Sequence, residues 1–154
     1  MAFGQLSLKG RALRLLAGRE YSRRELERKL APREEEPGQL KQALDELQAK
    51  GFIDEQRVVD SVVHRRAPRL GAVRIRQELQ AKGLDAEAVT AAVSSLQATE
   101  LERALAVWRR KFDAPPADAA ERAKQARFLI ARGFSAQAVR RVLAWSPDDD
   151  EGAT

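Results

Sequence analysis

The sequence has no cysteine and only one histidine among its 154 residues. A chain without cysteine can form neither a disulfide framework nor a thiolate metal site. The histidine, His64, is followed by Arg65 and Arg66 and lacks the neighbouring carboxylate and nucleophile that general-base catalysis requires. The acidic residues show no metal-ligand spacing, and the sequence has no glycine-rich nucleotide-binding loop. We therefore predict a protein that is not an enzyme, needs no metal or cofactor, and carries His64 at its surface or at an interface.

Aromatic residues and long hydrophobic runs are scarce as well. Aromatics make up 5% of the chain, whereas Ala, Leu, Arg, Glu, Gln and Lys, which lose little side-chain freedom in a helix, dominate. No stretch approaches the ~18 consecutive apolar residues of a membrane span, and residues 1–8 lack the pattern of a secretory signal. The sequence therefore predicts an all-α protein, which we expect in the cytoplasm and not in a membrane.

Charge is abundant and unbalanced. Charged residues make up 33% of the chain and hydrophobic residues 44%, with a formal net charge of +5. This composition is typical of amphipathic helices, in which each apolar stripe is matched by a solvated face. The positive excess favours nucleic acid or an acidic protein surface as the partner.

Four glycines predict where helices end. Gly51, Gly83 and Gly133 each follow an alanine and a basic residue, and Gly18 follows a leucine and an alanine. A glycine just past a helix end often adopts the left-handed conformation, and a basic last turn complements the helix dipole. We therefore expect a left-handed residue at all four positions.

Helix starts are equally legible. Ser22 and Glu25 have the spacing of a capping box, and Asp54, Asp85 and Ser135 are suitable N-cap residues. Together with apolar residues at helical spacing, these signals predict nine helices, at residues 9–18, 22–31, 38–50, 55–68, 72–82, 86–96, 99–112, 119–132 and 136–145.

The predicted helices repeat in groups of three. The segment GLDAEAV at residues 83–89 matches GFSAQAV at residues 133–139, and RELERKL at residues 24–30 matches VRIRQEL at residues 73–79 more loosely. Such repeats are typical of helical arrays in which each unit contacts mainly its neighbours. The sequence predicts an elongated, curved array with an N-terminal tail (1–7), three three-helix repeats (8–53, 54–97 and 98–145) and an acidic tail (146–154).

Apolar residues at helical spacing predict one core in each repeat. The first comprises Leu13, Leu16, Leu26, Leu30, Leu40, Leu44 and Leu47. The second comprises Val58, Val62, Ile75, Leu79, Val89, Val93 and Leu96. The third comprises Leu105, Trp108, Phe112, Phe128, Leu129, Phe134, Val139 and Leu143.

Three aromatic residues have a second interpretation. Trp108 and Trp145 could stack on bases, but Trp108 lies at helical spacing with apolar neighbours and is predicted to belong to the core. Tyr21, next to the Ser22 cap, is predicted to pack into its helix as a staple residue. None of the three is a convincing reader of bases.

Several segments in order resemble one protein family. They are ALRLL at residues 12–16, YSRREL at 21–26, LQAKGFIDEQR at 47–57, GAVRIRQELQAKG at 71–83 and KQARFLIARGFS at 124–135. Each motif is short, but their order and spacing over residues 8–143 closely resemble the RecX family of bacterial recombination regulators. The resemblance implies three tandem three-helix repeats and modulation, usually inhibition, of the RecA recombinase through binding to its filament on single-stranded DNA. The Pro- and Ala-rich linker at 113–120 and the acidic tail at 148–151 depart from the family pattern.

Basic residues concentrate in the middle repeat. Between residues 57 and 82, seven basic residues face two acids, Asp60 and Glu78. They are Arg57, Arg65, Arg66, Arg69, Arg74, Arg76 and Lys82. Arginine suits bidentate contact with phosphate or carboxylate, so these residues are predicted to bind the recombinase filament or DNA. The alternative is that they form the solvated faces of two amphipathic helices.

A second basic set lies in the third repeat. Its predicted binding residues are Arg109, Arg110, Lys111, Lys124 and Arg127, and Arg132, Arg140 and Arg141 accompany them. In the first repeat, by contrast, glutamates at helical spacing offset the basic residues, so we expect less binding there.

Three classes of function are compatible with these patterns. The leading hypothesis is a monomeric protein that binds the RecA filament together with single-stranded DNA, with duplex DNA as a further partner. A helix-turn-helix protein that reads duplex DNA without RecA is the alternative, with helix 72–82 as its recognition helix. An enzyme is the third class, and substitution of His64 would test it.

Overall fold

A computed structural model of the chain describes residues 5–144, which form nine α-helices and no strand. The helices are α1 (Leu8–Gly18), α2 (Arg23–Leu30), α3 (Gln39–Ala49), α4 (Glu55–Arg66), α5 (Ala72–Ala81), α6 (Ala86–Gln97), α7 (Glu100–Lys111), α8 (Ala119–Ala131) and α9 (Ala136–Ala144). A single 3₁₀ turn, Ala31–Arg33, follows α2. The all-α prediction and the nine helices are confirmed. Trp145 and the acidic tail lie outside the described residues.

The predicted helix starts are largely confirmed. At α2 the Ser22 hydroxyl accepts from the Glu25 N–H, and the Glu25 carboxylate accepts from the Ser22 N–H, which completes the capping box. Asp54 accepts from the Arg57 N–H at the start of α4, and Ser135 accepts from the Ala138 N–H at the start of α9. These bonds satisfy donors that a helix leaves unpaired at its first turn.

Three of the four predicted glycine caps are confirmed. Gly51, Gly83 and Gly133 have φ values of 83°, 71° and 92°. The prediction for Gly18 is wrong, because Gly18 is the last residue of α1 and the chain leaves the helix through an extended Arg19. A fourth glycine with the left-handed conformation is Gly38, which precedes α3 and has a φ of 86°.

The described chain divides into two compact units. Unit 1 contains residues 5–62 and Leu79–Val89, and unit 2 contains Val63–Glu78 and residues 90–144. The divisions fall inside α4, α5 and α6, so each of these helices contributes to both units. Along the chain, helices α1–α3 form the first segment, α4–α6 the second and α7–α9 the third.

The core of unit 1 lies among α1, α2 and α3. Leu26, Leu44 and Leu47 have no exposed surface, and burial of a leucine stabilises a fold by about 1.5–3 kcal/mol. Leu13 and Leu16 are half-buried and pack against the same cluster. The cluster also contains Ala12, Tyr21, Leu30, Leu40 and Ile53. The packing of Tyr21 agrees with its predicted role as a staple.

The core of unit 2 lies among α7, α8 and α9. Trp108 is 4% exposed, so its assignment to the core is confirmed. The indole N–H of Trp108 donates to the side-chain carbonyl of Gln125 at 2.8 Å, and the Gln125 amide donates to the Ala114 carbonyl and the Glu121 carboxylate. Gln125 is therefore a buried polar residue whose hydrogen bonds are satisfied, as burial requires.

The seven apolar residues predicted for the middle core are all buried. They are Val58, Val62, Ile75, Leu79, Val89, Val93 and Leu96. Helical spacing alone therefore identified the apolar faces of α4, α5 and α6.

Candidate binding surfaces

Within unit 1, the end of α5 lies against the start of α2. We call this contact the first junction. The Ser22 hydroxyl donates to the Lys82 carbonyl at 2.6 Å, and the Arg28 guanidinium donates to the Ala81 carbonyl at 3.1 Å. A Cβ atom on Gly83 would overlap with the Arg24 side chain. Gly83 is thus required both for its left-handed conformation and for this close approach.

Glu25 is the charged centre of the first junction. Its carboxylate accepts from the Arg19 guanidinium at 2.8 Å and from the Lys82 ammonium at 3.2 Å. Burial by itself would raise the pKa of Glu25, but hydrogen bonds from Arg19, the Ser22 N–H and Lys82 outweigh it and lower the pKa to about 2. The carboxylate is therefore held ionised between two cations.

Within unit 2, the end of α8 lies against the start of α5 in the same manner. We call this contact the second junction. The Gly71 N–H donates to the Arg132 carbonyl at 2.9 Å, and the Val73 N–H donates to the Gly133 carbonyl at 3.1 Å. A Cβ atom on Gly71 would overlap with the Gly133 carbonyl, so no larger residue fits there. The Arg74 guanidinium also donates to the Ala131 carbonyl at 2.8 Å.

Two residues of α7 support the second junction. The Glu100 carboxylate, which is buried, accepts from the Ala72 N–H at 2.9 Å and so caps α5 in place of an N-cap side chain. The Arg103 guanidinium donates to three backbone carbonyls, those of Ala67, Leu70 and Leu96, at 2.7–3.1 Å. Burial lowers the pKa of Arg103, and the nearby Glu100 carboxylate opposes that effect.

These junctions engage several residues that the sequence predicts for binding. Arg74 and Lys82 take part in the two junctions through the bonds given above. Arg66 pairs with Glu78 at 2.9 Å, and Arg57 pairs with Glu20 at 2.9 Å and donates to the Gly51 carbonyl at 2.7 Å. These four side chains therefore have intramolecular partners that contribute to holding the fold.

Another four predicted residues are exposed, and their side chains have no bonding partner among residues 5–144. We call them the exposed cations. All belong to unit 2, and they are Arg65, Arg76, Lys124 and Arg127. A guanidinium or ammonium group in this state is available to an incoming anion without the loss of an internal bond.

The remaining predicted residues lie at or near a shallow groove in unit 2. Arg69, Arg110 and Lys111 line it together with Arg132, and its floor is formed by Val107 and Phe128. We call it the four-cation groove. Its volume is about 290 Å³, and no carboxylate lines it. Arg109, also predicted for binding, is exposed on the same helix as Arg110.

The structure also locates groups that were considered for other chemistry. His64 is exposed on α4, as expected. Among residues 5–144, no three His, Cys, Asp or Glu side chains are grouped as a metal site would need, and no helix there is long and apolar enough to span a membrane.

Sequence reasoning missed three residues that organise unit 2. Glu100 and Arg103 lie on α7 with the spacing of an ordinary exposed pair, and their partners are backbone atoms up to 36 residues away in sequence. Arg132 was only an accompanying residue, although it completes the four-cation groove. One signal in the sequence could have indicated the junctions: residues 83–89 match residues 133–139, and the first residue of each stretch, Gly83 or Gly133, lies at a junction.

Recurrent three-helix segments joined by glycine-dependent contacts place the molecule among helical repeat proteins. Models of the first, second and third three-helix domains of RecX match residues 9–47, 54–93 and 98–143. The chain therefore belongs to the RecX family.

Individual relatives agree with this assignment. The regulatory protein RecX of Leptothrix cholodnii is 60% identical over 139 residues, which cover 90% of this chain and 88% of the relative. The regulatory protein RecX of Ralstonia nicotianae is 50% identical over 138 residues, which cover 90% of this chain and 87% of the relative. The name that both relatives carry supports a regulatory role for this chain.

Solved structures show the same fold. The crystal structure of RecX from Lactobacillus salivarius superposes with a TM-score of 0.74 at 19% identity, covering 89% of this chain and 92% of that one. A second crystal structure of regulatory protein RecX gives a TM-score of 0.71 at 21% identity, with coverage of 90% and 72%.

Proposed function

We propose that this protein regulates the RecA recombinase by binding the filament that RecA forms on single-stranded DNA, and that it inhibits ATP hydrolysis and strand exchange. Membership of the RecX family over all three segments is the observation that carries the proposal. The net charge of +5 supports it, because the filament offers acidic protein surface and DNA phosphates together.

The exposed cations are the contacts we propose for the filament. Their side chains have no partner in the described chain, whereas Arg57, Arg66, Arg74 and Lys82 would have to break an internal bond in order to bind. Breaking a solvent-exposed ion pair costs roughly 0.2–1 kcal/mol, and somewhat more where the pair is partly buried, which would oppose binding. The structure therefore favours Arg65, Arg76, Lys124 and Arg127 within the larger predicted set.

Regulation of this kind needs no chemistry from the protein. A ligand that binds one state of a filament more tightly than another shifts the population towards the preferred state by its differential affinity. Occupation of the filament would also hinder entry of the second DNA. We expect growth, hydrolysis and strand exchange all to respond to the same binding event.

The experiment is DNA-dependent ATP hydrolysis by the cognate RecA, with increasing amounts of this protein. We expect hydrolysis to fall at amounts below one protein per RecA subunit, because a few bound molecules suffice to stop filament growth. If hydrolysis and strand exchange both stay unchanged, the proposal is wrong. Protection of a defined duplex operator in the absence of RecA would instead support a helix-turn-helix reader.

Matched variants locate the contact. A triple variant with Arg65→Gln, Arg76→Gln and Arg127→Gln removes three exposed charges from unit 2. The control variant with Arg14→Gln, Lys29→Gln and Arg33→Gln removes three exposed charges from unit 1. We expect the first to need roughly tenfold more protein for half inhibition, and the control to behave as the unmodified chain. An equal loss of inhibition in both variants would show that only the net charge of the protein matters.

A further inference from the structure

Four positive side chains converge on the four-cation groove, and nothing on the described surface neutralises them. Arg69, Arg110, Lys111 and Arg132 line the groove, and none of them forms an ion pair among residues 5–144. Elsewhere in the chain, arginines such as Arg23 and Arg66 are paired with carboxylates. Like charges gathered without a counter-charge repel one another, so the arrangement favours binding of an anion.

Three of the four cations contact neutral groups. The Arg110 guanidinium donates to the Pro68 carbonyl at 2.6 Å. The Arg132 guanidinium lies 4.9 Å from the centre of the Phe128 ring, and the Lys111 ammonium lies 5.6 Å from it. Such contacts orient a cation without cancelling its charge, so an incoming anion meets donors that are already arranged.

The Phe128 ring in the groove packs against the core of unit 2. Phe128 packs edge-on against Phe112, with ring centres 5.4 Å apart and an angle of 87° between the planes. The Arg132 carbonyl accepts from the Gly71 N–H in the second junction, which fixes the backbone that carries one wall. The groove is therefore part of the packed structure of unit 2.

We infer that the four-cation groove binds the phosphodiester backbone of single-stranded nucleic acid. A shallow basic groove with an aromatic ring in its floor is the arrangement that follows a single strand with little preference for sequence. The alternative ligand is an acidic amphipathic helix, which would need a row of apolar pockets in the groove. The groove has no such row, because Val107 is buried and only Phe128 offers accessible apolar surface. The inference deepens the proposed function and rests on it for its setting, since the filament contains single-stranded DNA.

The test measures binding of a fluorescein-labelled oligothymidine to the full chain by anisotropy, without RecA. The groove variant carries Arg69→Gln and Arg132→Gln, two side chains without a hydrogen bond of their own. The control carries Arg122→Gln and Arg140→Gln, which are exposed in unit 2 outside the groove. Circular dichroism checks that both variants fold. If the groove variant does not fold, a single Lys111→Gln variant replaces it in the binding measurement.

We expect the groove variant to bind about tenfold more weakly and the control to bind normally. The slope of log affinity against log salt should become shallower by about 0.7 for each phosphate that the variant no longer neutralises. Equal effects in both variants, or none in either, would overturn the inference. Competition by polyglutamate as strong as that by unlabelled oligothymidine would also overturn it, since the groove would then prefer acidic protein.

RecA assays separate this inference from the proposed function. If the groove variant binds oligothymidine as tightly as the unmodified chain and still inhibits ATP hydrolysis by RecA, the groove inference fails and the regulatory function stands. If oligothymidine binding depends on the groove but the unmodified chain has no effect on RecA, the function fails and the nucleic-acid site stands.

Discussion

The two junctions join successive segments in the same way but with different bonds. In the first, side chains form the contact: the Ser22 hydroxyl, the Arg28 guanidinium and the Glu25 carboxylate. In the second, the Arg74 guanidinium donates as Arg28 does in the first, and the backbone N–H groups of Gly71 and Val73 also donate directly to the next segment. The first junction thus adds an ionised carboxylate between two cations, and the second adds direct hydrogen bonds between main chains.

The difference predicts what each junction tolerates. The first depends on an ionised carboxylate, so it should respond to pH and to salt. The main-chain bonds of the second depend on the absence of a Cβ atom at Gly71, so they should respond most strongly to substitution of that glycine.

The largest effect is expected for Gly71→Ala. A Cβ atom there would overlap with the Gly133 carbonyl, and backbone cannot move aside as a flexible side chain can. We expect the free energy of unfolding to fall by about 3 kcal/mol or more, measured by urea denaturation. Gly18→Ala is the control, because its Cβ would meet nothing within 4 Å. Similar results for both would show that the second junction is not tightly packed.

The next largest effect is expected for Gly133→Ala. Both Gly133 and Gly51 have positive φ, which costs a non-glycine residue about 1–2 kcal/mol. At Gly133 the new Cβ would also overlap with Arg74, whereas at Gly51 it would meet nothing within 4 Å. Gly133→Ala should therefore destabilise the protein by at least about 1 kcal/mol more than Gly51→Ala. Equal losses would mean that only backbone conformation matters at Gly133.

Arg103→Met should have an intermediate effect. The change keeps the apolar stem but leaves the carbonyls of Ala67 and Leu70 without their donor. We expect a loss of about 2 kcal/mol in the free energy of unfolding, with hydrogen exchange at Gly71 and Val73 faster than in the unmodified chain. Unchanged exchange at these two amides would show that Arg103 does not support the second junction.

The smallest effect is expected for Glu25→Gln. At neutral pH it should lower the free energy of unfolding by about 1–2 kcal/mol, after screening by solvent is taken into account. The pKa of Glu25 is lowered from 4.5 to about 2 in the folded chain, so its ionised form stabilises the fold above pH 4.5. That contribution is lost as pH falls from 4.5 towards 2. The difference between Glu25→Gln and the unmodified chain should shrink over this range, whereas that for Gly71→Ala should not. A constant difference would show that the charge of Glu25 does not stabilise the junction.

The sequence predicted the helices well because capping and periodicity are local. The bonds at Ser22, Asp54 and Ser135 lie within three residues of their partners, and the apolar spacing of Ile75 and Leu79 marks a buried face directly. Gly18 misled because it stands at the end of a helix as the other glycines do, although it lacks the basic residue that precedes them, and the chain leaves α1 in an extended conformation.

The binding surface was less predictable, because charge alone does not show which cations are already engaged. Arg66 and Arg65 are adjacent, yet one pairs with Glu78 and the other has no partner in the described chain. Glu100 and Arg103 act on a loop far away in sequence, which no local pattern indicates.

The proposed function is tested most directly by binding to preformed filaments. RecA is assembled on single-stranded DNA with a slowly hydrolysed ATP analogue, and association of this protein is measured at physiological salt. We predict that it binds the filament more tightly than the same DNA without RecA, and that the variant lacking Arg65, Arg76 and Arg127 binds it more weakly. Equal affinity for the filament and for bare DNA would contradict regulation through the filament.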